Sequence, residues 1–177
     1  MISITDLLVA VPRIADVRFR NSVILLVSND LSDGSLGICL NRPMDVVVSD
    51  LGIPGSEKIH QLPVYWGGPC EPTTLWMLHS PDWSIDDTYE LTPEWSMTSS
   101  WSMFENLDAY SRPAAMRLFA GYCHWAPGQL SWEVSGEPSF WLTAESVPPV
   151  EMFDFEEGNM WTNATKLSAS QAIQSWL

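Results

Sequence analysis

The chain is short of positive charge. Eight Lys and Arg stand against 22 Asp and Glu in 177 residues, a formal charge of −14 at pH 7. A nucleic-acid partner needs a counter-charged patch that neutralises phosphates. The one basic cluster is Arg13, Arg18 and Arg20, with Arg42 a candidate to join it in space. From Leu118 to Thr165 there are seven acids and no Lys or Arg. The charge therefore argues against direct DNA binding and for a well-solvated surface. Cysteine is also scarce. Cys39, Cys70 and Cys123 are odd in number and far apart, which argues against a disulfide framework and for a reducing, cytoplasmic setting. Long apolar runs are missing: LLVAV and VILLV are far too short to span a bilayer. The first thirteen residues lack the basic start of a signal peptide, and Asp6 interrupts their apolar character. No internal repeat, low-complexity block or linker divides the chain, so residues 1–177 read as a single domain.

Tryptophan, by contrast, is abundant. Ten Trp accompany a composition that is 46% hydrophobic and 17% charged, which is that of a globular chain. A chain of this length hides about 70% of the surface its unfolded form exposes, so a sizeable core needs no staples. Trp is large and amphipathic, so several of the ten must be partly exposed or line a concavity.

Pro and Gly are spread throughout, as in a chain of many short elements joined by tight turns. Patterning predicts strands at Leu7–Val11, Ser22–Ser28, Leu36–Leu40, Val64–Trp66, Leu75–His79, around Trp95–Met97 and from Met116 to Ala120. In the third of these, Gly37 and Cys39 share a face, so something must approach that face closely. Asp45 is placed to cap a short helix through Asp50, and Gly52–Leu62 reads as a loop. A second helix carries Trp101, Phe104 and Leu107, with Met103 a further candidate, on its inner face. Pro127 fits the first turn of a helix through about Ser135. Strands at Phe140–Leu142 and Val150–Phe155 follow, and then two short helices near Asn159–Lys166 and Ser168–Leu177. The mixture lacks a βαβ rhythm, which predicts an α+β fold with a mostly antiparallel or mixed sheet.

Chemistry-bearing residues form few recognisable patterns. His60, His79, His124 and the three Cys fall into no metal-ligand spacing, and adjacent Cys123 and His124 on a strand point to opposite faces. No nucleophile elbow and no cofactor motif are present. Gly67-Gly68-Pro69 lacks the Lys and Ser/Thr of a phosphate loop and reads as a tight turn. In Gly121–Val134 (GYCHWAPGQLSWEV), Gln129 and Glu133 are spaced i, i+4 on one helical face, with Leu130 and Val134 inward and Trp125 just before the helix. Two readings stay open there: Trp125 plugs the core while Gln129 caps backbone, or the corner faces a partner.

That segment resembles the hallmark of the YqgE/AlgH family, whose pattern reads close to GYAGWGPGQLE-x-E. Further landmarks are in order: the opening LLVAVPRIADVRFRNSVILLV, the turn Gly37–Pro43, Trp66-Gly67-Gly68-Pro69, Leu78-His79, Phe140-Trp141-Leu142 and Met160-Trp161 through Ala164. His124 and Ala126 depart from it, standing where the family has Gly, and Ser131 replaces a common acid. The resemblance implies one α+β domain with a bent, bifurcated sheet forming a pseudo-barrel flanked by helices, with a terminal helix in about the last ten residues. It implies no established enzymatic activity, no cofactor and no metal. Members carry a label of transcriptional regulator.

The expectation is an interaction or ligand-binding protein with an indirect regulatory role and an unknown protein or small-molecule partner. Its surface is centred on Asn41, Arg42, Gly67, Gly68, Trp125, Gln129 and Glu133. These are polar or Gly-rich turn residues that a packed core does not need. One alternative is a small redox or hydrolytic enzyme using Cys123 or His124 with Glu133. Another is direct DNA binding, which the charge opposes.

Overall fold

The computed structural model describes residues 2–109 and 111–175. Among them the elements run β1 (Asp6–Ala10), β2 (Val23–Asp30), β3 (Gly34–Cys39), β4 (Pro43–Val47), α1 (Glu57–His60), β5 (Pro63–Trp66), β6 (Cys70–His79), β7 (Thr88–Glu90) and β8 (Ser96–Thr98). They continue with α2 (Ser102–Ala109), β9 (Met116–Trp125), α3 (Gln129–Ser135), β10 (Trp141–Glu145), α4 (Pro149–Asp154) and α5 (Glu157–Gln174). Single 3₁₀ turns lie at Val17–Phe19 and Val48–Leu51.

One curled sheet takes the order β10-β1-β2-β3-β9-β6-β8-β7, and β4 and β5 branch from it. The branch point is β9. Its C-terminal half pairs antiparallel with β3, Cys123 opposite Gly37, while its N-terminal half pairs parallel with β5, Phe119 opposite Tyr65. Strand β6 lies along its other edge. Gly67 sits in the fork: its N–H donates to the Ala120 carbonyl at 2.8 Å and its carbonyl accepts from Cys39 N–H at 2.8 Å. The backbones meet so closely that a Cβ on Gly67 would lie 2.3 Å from the Gly121 oxygen. One on Gly68 would lie 2.0 Å from the Tyr122 carbonyl carbon. The bifurcated, helix-flanked sheet is thus present, and the glycine pair is what lets it divide.

Three apolar cores result, each built on alternating strand faces. One joins Leu7, Leu25, Ile38, Phe119 and Trp95 to Met152 and Met160 of the C-terminal helices. A second packs Ile59, Met77, Phe104 and Leu118 under α2. The third gathers Leu8, Ile24, Cys39, Cys123, Trp125 and Trp141 on the opposite face of β1–β3. What Gly37 admits is the Ile24 side chain, whose Cγ2 would lie 2.6 Å from a Cβ placed there, with the Trp125 ring beside it at 3.2 Å.

Several expected elements differ. Asp45 lies in β4 and caps nothing; Asp50 instead accepts the Val47 N–H at 2.9 Å, reaching back to hold the start of the 3₁₀ turn. The Gly52–Leu62 stretch contains α1, pinned by buried Ile59. Trp101 precedes α2 and is 62% exposed, whereas Met103, Phe104 and Leu107 are buried as expected. Pro127 stands two residues before α3, whose N-cap is Gly128 in the left-handed region (φ 78°). Val150–Phe155 is not a strand. Pro148-Pro149 pre-sets a helical first turn, and Pro149 and Met152 bury one face while Val150, Glu151 and Asp154 face solvent. The two expected C-terminal helices are one: no breaker interrupts α5, and Met160 and Ala164, spaced i, i+4, fix it to the core. Trp176 and Leu177, at the end of the expected terminal helix, lie outside the described residues.

Candidate functional site

The segment β9–α3–β10 folds back on itself. Helix α3 has only seven residues, so Trp141 at the start of β10 returns beside Trp125 at the end of β9. Their rings meet edge to face, with centroids 6.1 Å apart. Phe19, on the Val17–Phe19 turn, packs against Trp141 at 5.9 Å and against Trp66 at 5.8 Å. Between that turn and α3 opens a cleft of about 400 Å³. Its apolar walls are Phe19, Trp125, Phe140 and Trp141; its polar groups include Asp16, Arg18, His124, Gln129 and Glu133.

A single carboxylate orders this cleft. Glu133 Oε2 accepts the indole N–H of Trp125 at 2.9 Å and that of Trp141 at 2.8 Å. Its Oε1 accepts from Gln129 Nε2 at 2.8 Å, the i, i+4 contact the sequence pattern anticipates. Gln129 Oε1 in turn accepts the Ala126 N–H at 3.0 Å, closing the turn that leads into α3. The core-and-cap reading of the corner is thus present, with Gln129 accepting the Ala126 N–H. Trp125 is 4% exposed and plugs the third core, while Gln129 is exposed and Glu133 half-buried at the cleft wall. On the facing rim, Asp16 caps the 3₁₀ turn and forks onto Arg18, with Nη2 2.6 Å from Oδ2. The Arg18 hydrogen bonds hold the Asp16 carboxyl below its usual range.

The other expected site residues serve the scaffold. Asn41 accepts the Val23 N–H at 2.9 Å and donates to the Asn21 carbonyl at 2.8 Å, fixing the start of β2. Arg42 donates to the Arg20 carbonyl and, at 3.4 Å, to Ser22 Oγ. Neither lines the cleft. Gly67 and Gly68 are buried behind it in the sheet fork, and from that loop only Pro69 reaches the cleft. Of the seven, the cleft unites Trp125, Gln129 and Glu133.

Cys123 and His124 point apart, as their adjacency on a strand requires: Cys123 is 3% exposed, and His124 is exposed. The Cys123 thiol donates to the Gly67 carbonyl at 3.5 Å. Burial pushes it well above the usual thiol range, and burial also raises Cys39. Glu133 is engaged by indoles and an amide, so thiol, imidazole and carboxylate form no relay. Sequence reasoning did not place Phe19, Asp16, Arg18, Phe140 or Trp141 at this site. The tryptophan count signalled a lined concavity, but only the return of the chain through α3 shows which Trp residues line it.

Residues 7–172 match the family described as AlgH-like. The chain belongs to the AlgH-like family. A UPF0301 protein of Ruegeria pomeroyi is 35% identical over 173 residues, covering 94% of this chain and 92% of that one. Another, from Cereibacter sphaeroides, is 33% identical over 163 residues, covering 89% and 86%. Among solved structures, the AlgH protein from Pseudomonas aeruginosa in solution is similar at a TM-score of 0.78 and 26% identity, over 92% of this chain and 87% of that chain. A crystal structure of a Corynebacterium diphtheriae protein is similar at 0.72 and 25%, over 92% and 85%. The resemblance drawn from the hallmark segment is therefore one of family and of fold. Like its relatives' names, it carries no activity. No helix among the described residues is long and apolar enough to cross a membrane.

Proposed function

We propose that this AlgH-like protein is a cytoplasmic binding protein that acts by engaging a partner or small ligand in the Trp125–Trp141–Glu133 cleft, and that any regulatory role is indirect. The observation that carries the reading is the mutual satisfaction of the cleft's polar groups. Two indole N–H groups and one amide converge on Glu133, so the aromatic walls are held rigid and open before anything arrives. Rigid aromatic walls with a few fixed polar groups are how small-molecule and side-chain sites are built. The deep burial and raised ionisation of Cys123, and the engagement of Glu133, weigh against a thiol-based enzyme. The charge of −14 weighs against direct contact with a nucleic-acid backbone.

The test is what accompanies the protein when it is purified from its own cells. Ala15 is exposed and lines the cleft, so Ala15→Trp fills the cleft without entering the core. A species that co-purifies with the wild type and is lost from Ala15→Trp supports the reading. Identical co-purifying material from both proteins refutes it.

A further inference from the structure

The charge on the cleft is unbalanced. Among the described residues the one ion pair within 4.0 Å is Arg18 with Asp16, so these two neutralise each other at the rim. Glu133 is left as a half-buried carboxylate whose hydrogen-bond donors are all neutral. A carboxylate oxygen offers two lone pairs. On Oε2 both are taken by indoles; on Oε1 one is taken by Gln129 and one is free. Gln129 Oε1, which accepts only from Ala126, has a second free lone pair one helical turn away on the same face. The donors nearest Glu133 are engaged, the indoles on Glu133 itself and the Cys123 thiol on Gly67, while Gln129 Nε2 keeps one N–H free and Arg18, bound through Nε and Nη2 to Asp16, keeps its Nη1 hydrogens at the rim. The cleft thus offers acceptors and aromatic surface, and it carries one uncompensated negative charge.

Carboxylates beside aromatic rings recognise organic cations, through charge-assisted hydrogen bonds to the head and attraction to the rings. The chain displays this chemistry at its own rim, where the Arg18 guanidinium forks onto Asp16 and stands 5.7 Å from the centroid of Phe19. Resting on the reading of the cleft as a binding site, we propose that it takes an organic cation. This is a guanidinium or primary ammonium group on an apolar stem, the head on Glu133 Oε1 and the stem along Trp125, Phe140 and Trp141. The strongly acidic chain favours the approach of such a ligand.

The experiment follows the indole N–H resonances of Trp125 and Trp141 while n-butylguanidinium, n-butylammonium, 1-pentanol or pentanoate is added. Both cations should bind at least about tenfold more tightly than the neutral alcohol, the worth of one charge-assisted hydrogen bond. Pentanoate should not bind, and cation affinity should fall as salt rises from about 20 to about 300 mM. Glu133→Gln, confirmed folded by circular dichroism, should bring the cations level with the alcohol. If that variant does not fold, Ala15→Trp, which fills the cleft, should abolish the cation-induced indole shifts, and cation shifts that persist in it overturn the inference. Equal affinity for alcohol and cations, stronger binding of pentanoate, or salt-independent cation binding overturns the inference and leaves the cleft a binding site of another kind. If no probe moves either indole, both readings fall. Acetyl-arginine methylamide and agmatine then separate the two sources of such a head: tighter binding of the first points to a peptide side chain, of the second to a free amine.

Discussion

Glu133→Ala removes the acceptor on which Trp125, Trp141 and Gln129 converge. Three hydrogen bonds at 2.8–2.9 Å are lost, two of them from indoles of residues only 4% and 3% exposed. A buried donor left without a partner costs about 1–3 kcal/mol. Water entering from the open cleft offsets part of this, which leaves a loss of about 3 kcal/mol for the two indoles and the amide together. For a chain of this size that is a fall of about 6–12 °C in Tm. Glu133→Gln keeps one acceptor oxygen for the indoles but turns an NH₂ toward the Gln129 NH₂, so its cost should be nearer about 1 kcal/mol. Urea unfolding of the three proteins, followed by near-ultraviolet circular dichroism, measures both numbers and reports the indole environments. If Glu133→Ala unfolds within about 0.5 kcal/mol of wild type, below the worth of a single hydrogen bond, with an unchanged near-ultraviolet spectrum, the carboxylate does not hold the cleft walls.

His79 is fully buried; its Nδ1 lies 2.8 Å from the Ser80 carbonyl and its Nε2 3.0 Å from the Thr98 hydroxyl, and burial lowers its pKa below 6.5. The folded state therefore binds this proton less readily than the unfolded state, so the contribution is whole above about pH 6.5 and is lost as pH falls through the folded value. His79→Leu should flatten that part of the stability–pH profile. Gly68→Ala would set a Cβ 2.0 Å from the Tyr122 backbone and should leave little soluble folded protein, whereas Gly128→Ala, with nothing within 4 Å of its Cβ, should fold and lose only about 1 kcal/mol for its left-handed backbone. Alkylation followed by mass spectrometry should label half-exposed Cys70 first, with Cys39 and Cys123 reacting only on unfolding.

Much of this molecule is legible in its sequence because local rules and tertiary contacts agree. The strand pattern at Met116–Ala120, the i, i+4 pair Gln129 and Glu133, and the demand of Gly37 for a close neighbour all appear in the fold. The failures have physical causes. Val150–Phe155 is short and rich in apolar and aromatic residues, like a strand, but the preceding prolines and burial at i, i+3 make it a helix. Gly67 and Gly68 look like a turn available to a ligand, yet they are spent on the fork of the sheet, where three backbones meet. Asn41 and Arg42 are polar because they bond the backbone of the preceding segment, Asn21 and Val23 for one and Arg20 for the other. Trp141 and Phe19 lie far in sequence from Trp125, and no local periodicity could assign them to its cleft.

The central claim is that the cleft between the Val17–Phe19 turn and α3 is the protein's binding surface. Its most direct measurement is a nuclear magnetic resonance screen of a diverse fragment library, with hits mapped by shifts of the assigned Trp indole and backbone amides. The account predicts that hits cluster at Trp125, Trp141 and Gln129 and disappear in Ala15→Trp. Hits concentrated elsewhere, for example around exposed Tyr89 or Trp101, with the cleft resonances unmoved, would contradict it.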